Sequence, residues 1–316
     1  MFIQKFNNNI NINNNNTQYI NENENFLQFN QIFNDLIFAC KDQNSSRIIQ
    51  KQFEVAPVQL KNAIFKKIYH ETFELMKDQF GNYVIQKLFE KGLPEHKKQL
   101  FQVLIENTQD LCLHTYGCRV IQKAIEELQE FPLLQEQIID ELSNNIMDYI
   151  QDQHGNHVIQ KLFECVDCSK LQVIIDDIIQ NVIYLYQVLI YFIFNFMIKK
   201  IQTLAFHPYG CRVIQRILEF CQPQQTKQIY QKLKENLILL CKCQYGNYII
   251  QYIIENGLEE DKQYLLQVVK KNFVSLSLNK FASNVTEKSI LYSNDEFKYG
   301  VLENLLRLNQ NNEQNI

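Results

Sequence analysis

Seven stretches of the chain carry the same set of polar side chains, at positions i, i+1 and i+4. The trios are Ser46-Arg47-Gln50, Asn82-Tyr83-Gln86, Cys118-Arg119-Gln122, Asn156-His157-Gln160, Cys211-Arg212-Gln215, Asn247-Tyr248-Gln251 and Ser283-Asn284-Glu287. The first member alternates between Asn and a small Cys or Ser, the third is Gln or Glu, and the middle one is always flat and polar. A position chosen for packing alone would not alternate Asn with Cys while holding Gln fixed. Flat groups stack on nucleobases, and the flanking pair can reach a base's exposed edge. An Asn–Gln pair offers donors and acceptors, matching uracil's acceptor–donor–acceptor edge. A Cys or Ser with Gln suits adenine, and an ionised Glu287 is acceptor-only, which suits the adjacent donors of guanine. Five residues after each first member stands Lys51, Lys87, Lys123, Lys161, Arg216, Tyr252 or Lys288, a row expected to supply local positive charge despite a net charge of −4.

The elements that position these groups repeat as well. A small residue precedes each trio, at Ser45, Gly81, Gly117, Gly155, Gly210, Gly246 and Ala282, with steps of 36, 36, 38, 55, 36 and 36 residues. A period in that range marks a solenoid of stacked supersecondary units. Val84, Ile85, Leu88 and Phe89 fall on one stripe of a helix, and Asn82, Tyr83 and Gln86 on the opposite face. A shorter run over Tyr69–Lys77 precedes that helix and an amphipathic run over Pro94–Asn107 follows it. Each repeat therefore reads as a short helix, an inner helix carrying the trio, and an outer helix. Gly92 and Gly257 read as stops of inner helices. Asp42, Asp78 and Asp152 read as N-terminal caps or dipole partners. His114, His154 and His207 precede their motifs as repeat decoration. Because the small position accepts Ser45 and Ala282, it needs small size, for close approach of a neighbouring helix or a ligand, rather than positive φ.

Composition sets the limits. The chain has 316 residues, 46% of them hydrophobic, and nine cysteines without a disulfide-like framework, which fits reduced thiols in a cytosolic or nuclear protein. No basic, then apolar, leader opens it. Residues 1–25 form an Asn-rich arm and 309–316 a polar tail, both of a composition expected to be disordered. Between them 26–308 reads as one repeat domain. The step from Gly155 to Gly210 is 19 residues too long, and the surplus fits 184–202. That segment is too short and too interrupted by Gln187 and Asn195 for a membrane span; its Tyr, Ile, Phe, Asn, Lys and Met residues, all with A/T-rich codons, suit a translated intron, with a buried extra helix or an apolar loop as the alternatives. No polar capping repeat follows Ala282, so an apolar face is expected to stay open at that end.

The seven copies, among them FGNYVIQKLFE from Phe80, YGCRVIQKAIE from Tyr116 and HGNHVIQKLFE from His154, resemble the Pumilio (PUF) family of RNA-binding repeat proteins over roughly 25–308. The resemblance implies an all-α fold, a right-handed, crescent-shaped α-solenoid of about seven three-helix repeats. It implies single-stranded mRNA as the partner, bound antiparallel with one base per repeat, so that repeats seven to one read G, U, A, U, A, U, A. That order resembles the family's UGUA element. It further implies a cytoplasmic regulator, a monomer, that recruits deadenylase or translational-repression proteins, with no cofactor, metal, small-molecule substrate or membrane. The family usually has eight repeats, and the one expected to read the leading U has no counterpart here.

Other readings are open to the same residues. A protein-interaction scaffold like HEAT or armadillo arrays shares the architecture, and a ribosome-biogenesis member of the wider family would bind RNA with little sequence preference. Cys165 and Cys168 have CxxC spacing without a second pair at zinc-ribbon distance. No nucleophile–base pairing and no phosphate-cradling glycine loop appears, which argues against an enzyme.

Overall fold

The computed structural model describes residues 29–127, 129, 131–181 and 204–313. The Asn-rich arm and the surplus segment over 184–202 lie outside the described residues, so the readings made of them stand only on the sequence. Every regular element described is helical. The expected triplet recurs: in the third repeat a short helix Thr108–Leu113, an inner helix Gly117–Glu127 and an outer helix Pro132–Ser143. The fourth repeat follows suit with Ile146–Gln151, Gly155–Cys165 and Gln172–Asn181. In the fifth, a 3-10 turn Leu204–Phe206 precedes the inner helix Gly210–Phe220.

Each inner helix is amphipathic for the reason its pattern gives. Val84, Ile85, Leu88 and Phe89 are buried, and so are Val120, Ile121, Ala124 and Ile125 at the same places one repeat on. Its start is capped three residues before the small position. The Asp78 carboxylate accepts from the backbone N–H groups of Phe80 and Gly81 at 2.8 and 2.7 Å, and Asp152 and Asp42 do the same in their repeats. His114 and His207 occupy this position too, each Nδ1 accepting from two backbone N–H groups at 3.2–3.3 Å. Asn279 serves the seventh repeat. These two histidines are helix caps.

The small residue is small because of its own repeat. A β-carbon on Gly117 would stand 2.8 Å from the Leu111 carbonyl oxygen, and one on Gly155 2.7 Å from that of Tyr149. The close neighbour is thus the backbone of the preceding short helix. The short helices before Ser45 and Ala282 have five residues, whereas those of the second, third, fourth and sixth repeats have six. Gly117→Ala should therefore cost about 1–3 kcal/mol by overpacking, read as a lower urea midpoint at unchanged slope.

Gly92 and Gly257 do end their inner helices, but with φ of −71° and −70°. Ala56, Val166 and Cys221 end others at φ of −65°, −106° and −90°, so positive φ is not what the position demands. The final helix, Asp295–Glu313, runs five residues into the stretch whose composition reads as a tail. It buries Phe297 and Val301 and leaves Tyr299, Leu302 and Leu306 exposed, an open apolar face of the kind expected there.

The chain divides into two compact units, one ending at Glu106 and the other starting at Asn107. The boundary falls between repeats, leaving each triplet whole. In the first unit the inner helices of repeats one and two pack on each other; in the second, those of repeats three to seven pack in succession.

Candidate nucleic-acid interface

The first six trios keep one exposure pattern from repeat to repeat. The middle members Arg47, Tyr83, Arg119, His157, Arg212, Tyr248 and Asn284 are all exposed. The glutamines beside them are half-buried, and Glu287 is exposed. Tyr83 and Tyr248, large rings with 43% and 53% of their surface open, are the kind of platform on which a base stacks. Partial burial pushes the His157 imidazole below its usual value, and the nearby Arg212 guanidinium adds to this. His157 thus presents a flat, neutral ring at neutral pH.

The first members also serve the start of their own helix. Ser46, Asn82, Cys118, Asn156, Cys211 and Asn247 are buried at 4% exposure or less. Their polar atoms are spent on the start of their own helix. Asn82 Nδ2 donates to the carbonyls of Asp78 and Gln79 at 2.8 and 2.9 Å, and its Oδ1 accepts from Gln86 Nε2 at 2.8 Å. Asn156 holds Gln160, and Asn247 holds Gln251, in the same way at 2.7 Å. An Asn in first place therefore fixes the orientation of the glutamine above it. One Gln N–H is used, leaving its carbonyl and second N–H for an edge that both donates and accepts.

The cysteine repeats are wired differently. Cys118 Sγ donates to the Thr115 carbonyl at 3.5 Å, and Gln122 Nε2 donates to the backbone carbonyl of Cys118 at 3.0 Å. Cys211 donates to the Pro208 carbonyl, and burial pushes its thiol up to about 11, so the S–H stays protonated. The Gln122 carbonyl keeps its acceptor capacity, which suits an amino group such as adenine's. In the seventh repeat Ser283 Oγ donates to the Lys280 carbonyl at 3.2 Å.

The cation row needs a correction. A row of glutamates, nine residues after the small position in the first six repeats, pairs with much of it. Lys87 lies 3.5 Å from Glu54 and 2.8 Å from Glu90, and Lys161 lies 2.9 Å from Glu126 and 2.8 Å from Glu164. Arg216 pairs with Glu164 and Glu219, and Lys288 with Glu255. Lys87, Lys161, Arg216 and Lys288 are thus rungs joining neighbouring inner helices, Lys123 pairs within its own helix, and the glutamates offset the positive field assigned to these cations. Partly exposed rungs of this kind contribute little each. Held by Lys87 and then by Lys91, the Glu90 carboxyl falls from the ordinary 4.5 to about 2. A depressed folded-state value adds stability above the unfolded one and loses it as pH falls from about 4.5 to about 2. Glu90→Gln should remove that part of the acid sensitivity, checked by urea unfolding across the same pH window.

A family model described as "PUF: Pumilio-family RNA binding repeat" matches residues 40–69, 72–105, 107–143, 145–179, 200–234, 236–270 and 272–306. The chain belongs to the Pumilio family of RNA-binding repeat proteins. The matches pass over 180–199, a gap that overlaps the 184–202 segment without coinciding with it. Among curated relatives, Pumilio homolog 12 of Arabidopsis thaliana is 26% identical over 58% of this chain and 28% of its own length. Suppressor protein MPT5 of Saccharomyces cerevisiae is 34% identical over 46% of this chain and 15% of its own length. The chain thus spans under a third of either relative. Among solved structures, the Puf3 RNA binding domain bound to a Cox17 RNA 3' UTR recognition sequence matches with a TM-score of 0.75 and 37% identity, covering 87% of this chain and 76% of that one. PUF-8 in complex with PBE-RNA matches with a TM-score of 0.75 and 32% identity, covering 86% of this chain and 74% of that one.

Proposed function

We propose that this chain binds single-stranded mRNA in a sequence-specific way, one base per repeat, and that it selects a UGUA-containing element of 3′ untranslated regions for repression or decay. The observation that carries this reading is the division of the repeats into two wirings. Asn–Gln repeats hold a clamped carboxamide that both donates and accepts. In the Cys118 repeat the Gln122 N–H goes to the backbone carbonyl instead, so no side-chain amide clamps it. Next to each stands an exposed flat group for stacking. The likeness to RNA-bound domains, one of them on a 3' UTR recognition sequence, supports the partner class. Recruitment of deadenylase or translational-repression proteins, action as a monomer and a cytoplasmic setting belong to the same proposal.

Filter binding with a UGUAUAUA RNA and a scrambled RNA of the same composition tests it. The UGUA-containing RNA should bind at least about tenfold more tightly, a difference of about 1.4 kcal/mol. Equal binding of both would favour a member with little sequence preference, and binding of neither a protein-interaction scaffold.

A further inference from the structure

Cys165 and Cys168 lack a second pair in sequence, yet Cys168 does have a sulfur neighbour. It is Cys221, whose S–H donates to the Cys168 sulfur at 2.6 Å from 53 residues away. Both are free thiols. They occupy the turns that follow the inner helices of the fourth and fifth repeats. Cys168 begins the 3-10 turn Cys168–Leu171, and Cys221 caps the helix Gly210–Phe220. A second set of contacts, independent of the sulfurs, fixes the two turns together. Gln225 Nε2, from the outer helix Pro223–Glu235, donates to the Cys168 carbonyl at 2.7 Å and to Gln172 Oε1 at 3.0 Å. Closing a bond of about 2.05 Å asks only a fraction of an ångström of movement.

Five of the other seven cysteines sit differently. Cys40, Cys112 and Cys241 are buried in the core, and Cys118 and Cys211 are tied to backbone carbonyls. Cys221 is half-buried, so a small oxidant has a way in. The hydrogen bond from Cys221 holds the Cys168 thiol below its usual value, favouring the thiolate that starts such chemistry. Among the described residues no group of three or more His, Cys, Asp or Glu side chains is placed to hold a metal ion.

We infer that Cys168 and Cys221 are a reversible thiol–disulfide site, oxidised by a peroxide, that covalently ties the fourth repeat to the fifth. One sulfur attacks an oxygen of hydrogen peroxide, the O–O bond breaks, and a sulfenic acid forms with release of one water. The second sulfur displaces the sulfenic hydroxyl, the S–S bond forms, and a second water leaves. The two thiols lose two electrons and two protons, and the peroxide takes up both. A thiol reductant reverses the bond, as a reducing compartment requires.

Peptide mapping of the full chain tests this directly. The chain is treated with hydrogen peroxide, blocked with iodoacetamide, digested without reductant and analysed by mass spectrometry. The expected product is a peptide pair joined through Cys168 and Cys221, two hydrogens lighter than the separate peptides and released by dithiothreitol. Cys221→Ser should abolish it and Cys165→Ser should leave it intact. Alkylation of both cysteines in the peroxide-treated wild-type chain, a Cys165–Cys168 bond, or a sulfinic acid at Cys168 with Cys221 free would each overturn the assignment. The wild-type map decides the matter even if a variant folds poorly.

Discussion

Replacing Ser283→Asn together with Glu287→Gln should move the base preferred by the seventh repeat from guanine to uracil. The change supplies the first and third trio members of the neighbouring sixth repeat. Ser283 reaches only the Lys280 carbonyl, whereas Asn247 one repeat earlier reaches two carbonyls and receives Gln251 at 2.7 Å. An asparagine at 283 has the Asn279 and Lys280 carbonyls at the corresponding places, and a glutamine at 287 can then donate to it. The acceptor-only carboxylate gives way to a carboxamide with one N–H to spare. A stacked, edge-read nucleotide contributes about 1–3 kcal/mol, so the relative affinity for the two bases should shift by roughly five- to 150-fold. Competition binding with RNAs differing at that one base measures it. An equal loss for both bases would mean that these two side chains do not set the preference.

The largest loss of stability should come from Phe163→Ala. The place eight residues after the small position is filled by Phe53, Phe89, Ile125, Phe163 and Ile254, each at 1% exposure or less. Phe163 fills it in the fourth repeat, whose inner helix packs against those of the third and the fifth. Removing a buried phenylalanine ring leaves a cavity that close-packed neighbours fill only in part, at about 3–5 kcal/mol. Because each repeat is stabilised by its neighbours, the damage should spread outward from the fourth repeat. Hydrogen exchange should show faster exchange in Gly117–Glu127 and Gly210–Phe220 as well as in Gly155–Cys165. A loss below about 1 kcal/mol would show that the site tolerates the cavity.

Much of this molecule can be read from the sequence because repetition removes ambiguity. A single stretch such as Val84-Ile85 fits several structures, but seven copies in one register fix the helix, its buried stripe and its polar face together. The aspartate caps are legible for the same reason. What escaped depends on distances that spacing does not encode. The glutamates Glu54, Glu90, Glu126 and Glu164 repeat as faithfully as the lysines, but pairing across helices became visible only when Lys87 and Lys161 were placed between them. That the first members are buried follows from the carbonyls exposed at a helix start, which Asn82 and Cys118 satisfy. The Cys168–Cys221 contact joins two turns across the one step that breaks the period.

The ladder also bears on how the chain would hold RNA. With Lys87, Lys161, Arg216 and Lys288 already paired to carboxylates, affinity would rest on stacking and edge contacts more than on free positive charge. Its salt dependence should then be shallow for a nucleic-acid binder.

Selection of RNA ligands from a fully randomised pool by the intact chain is the most direct test of base-by-base reading. The ordered motif G-U-A-U-A-U-A, matching the trios from the seventh repeat to the first, is the result expected. A pool that stays unordered, or a motif whose uracils and adenines do not alternate with the asparagine and cysteine repeats, would contradict it.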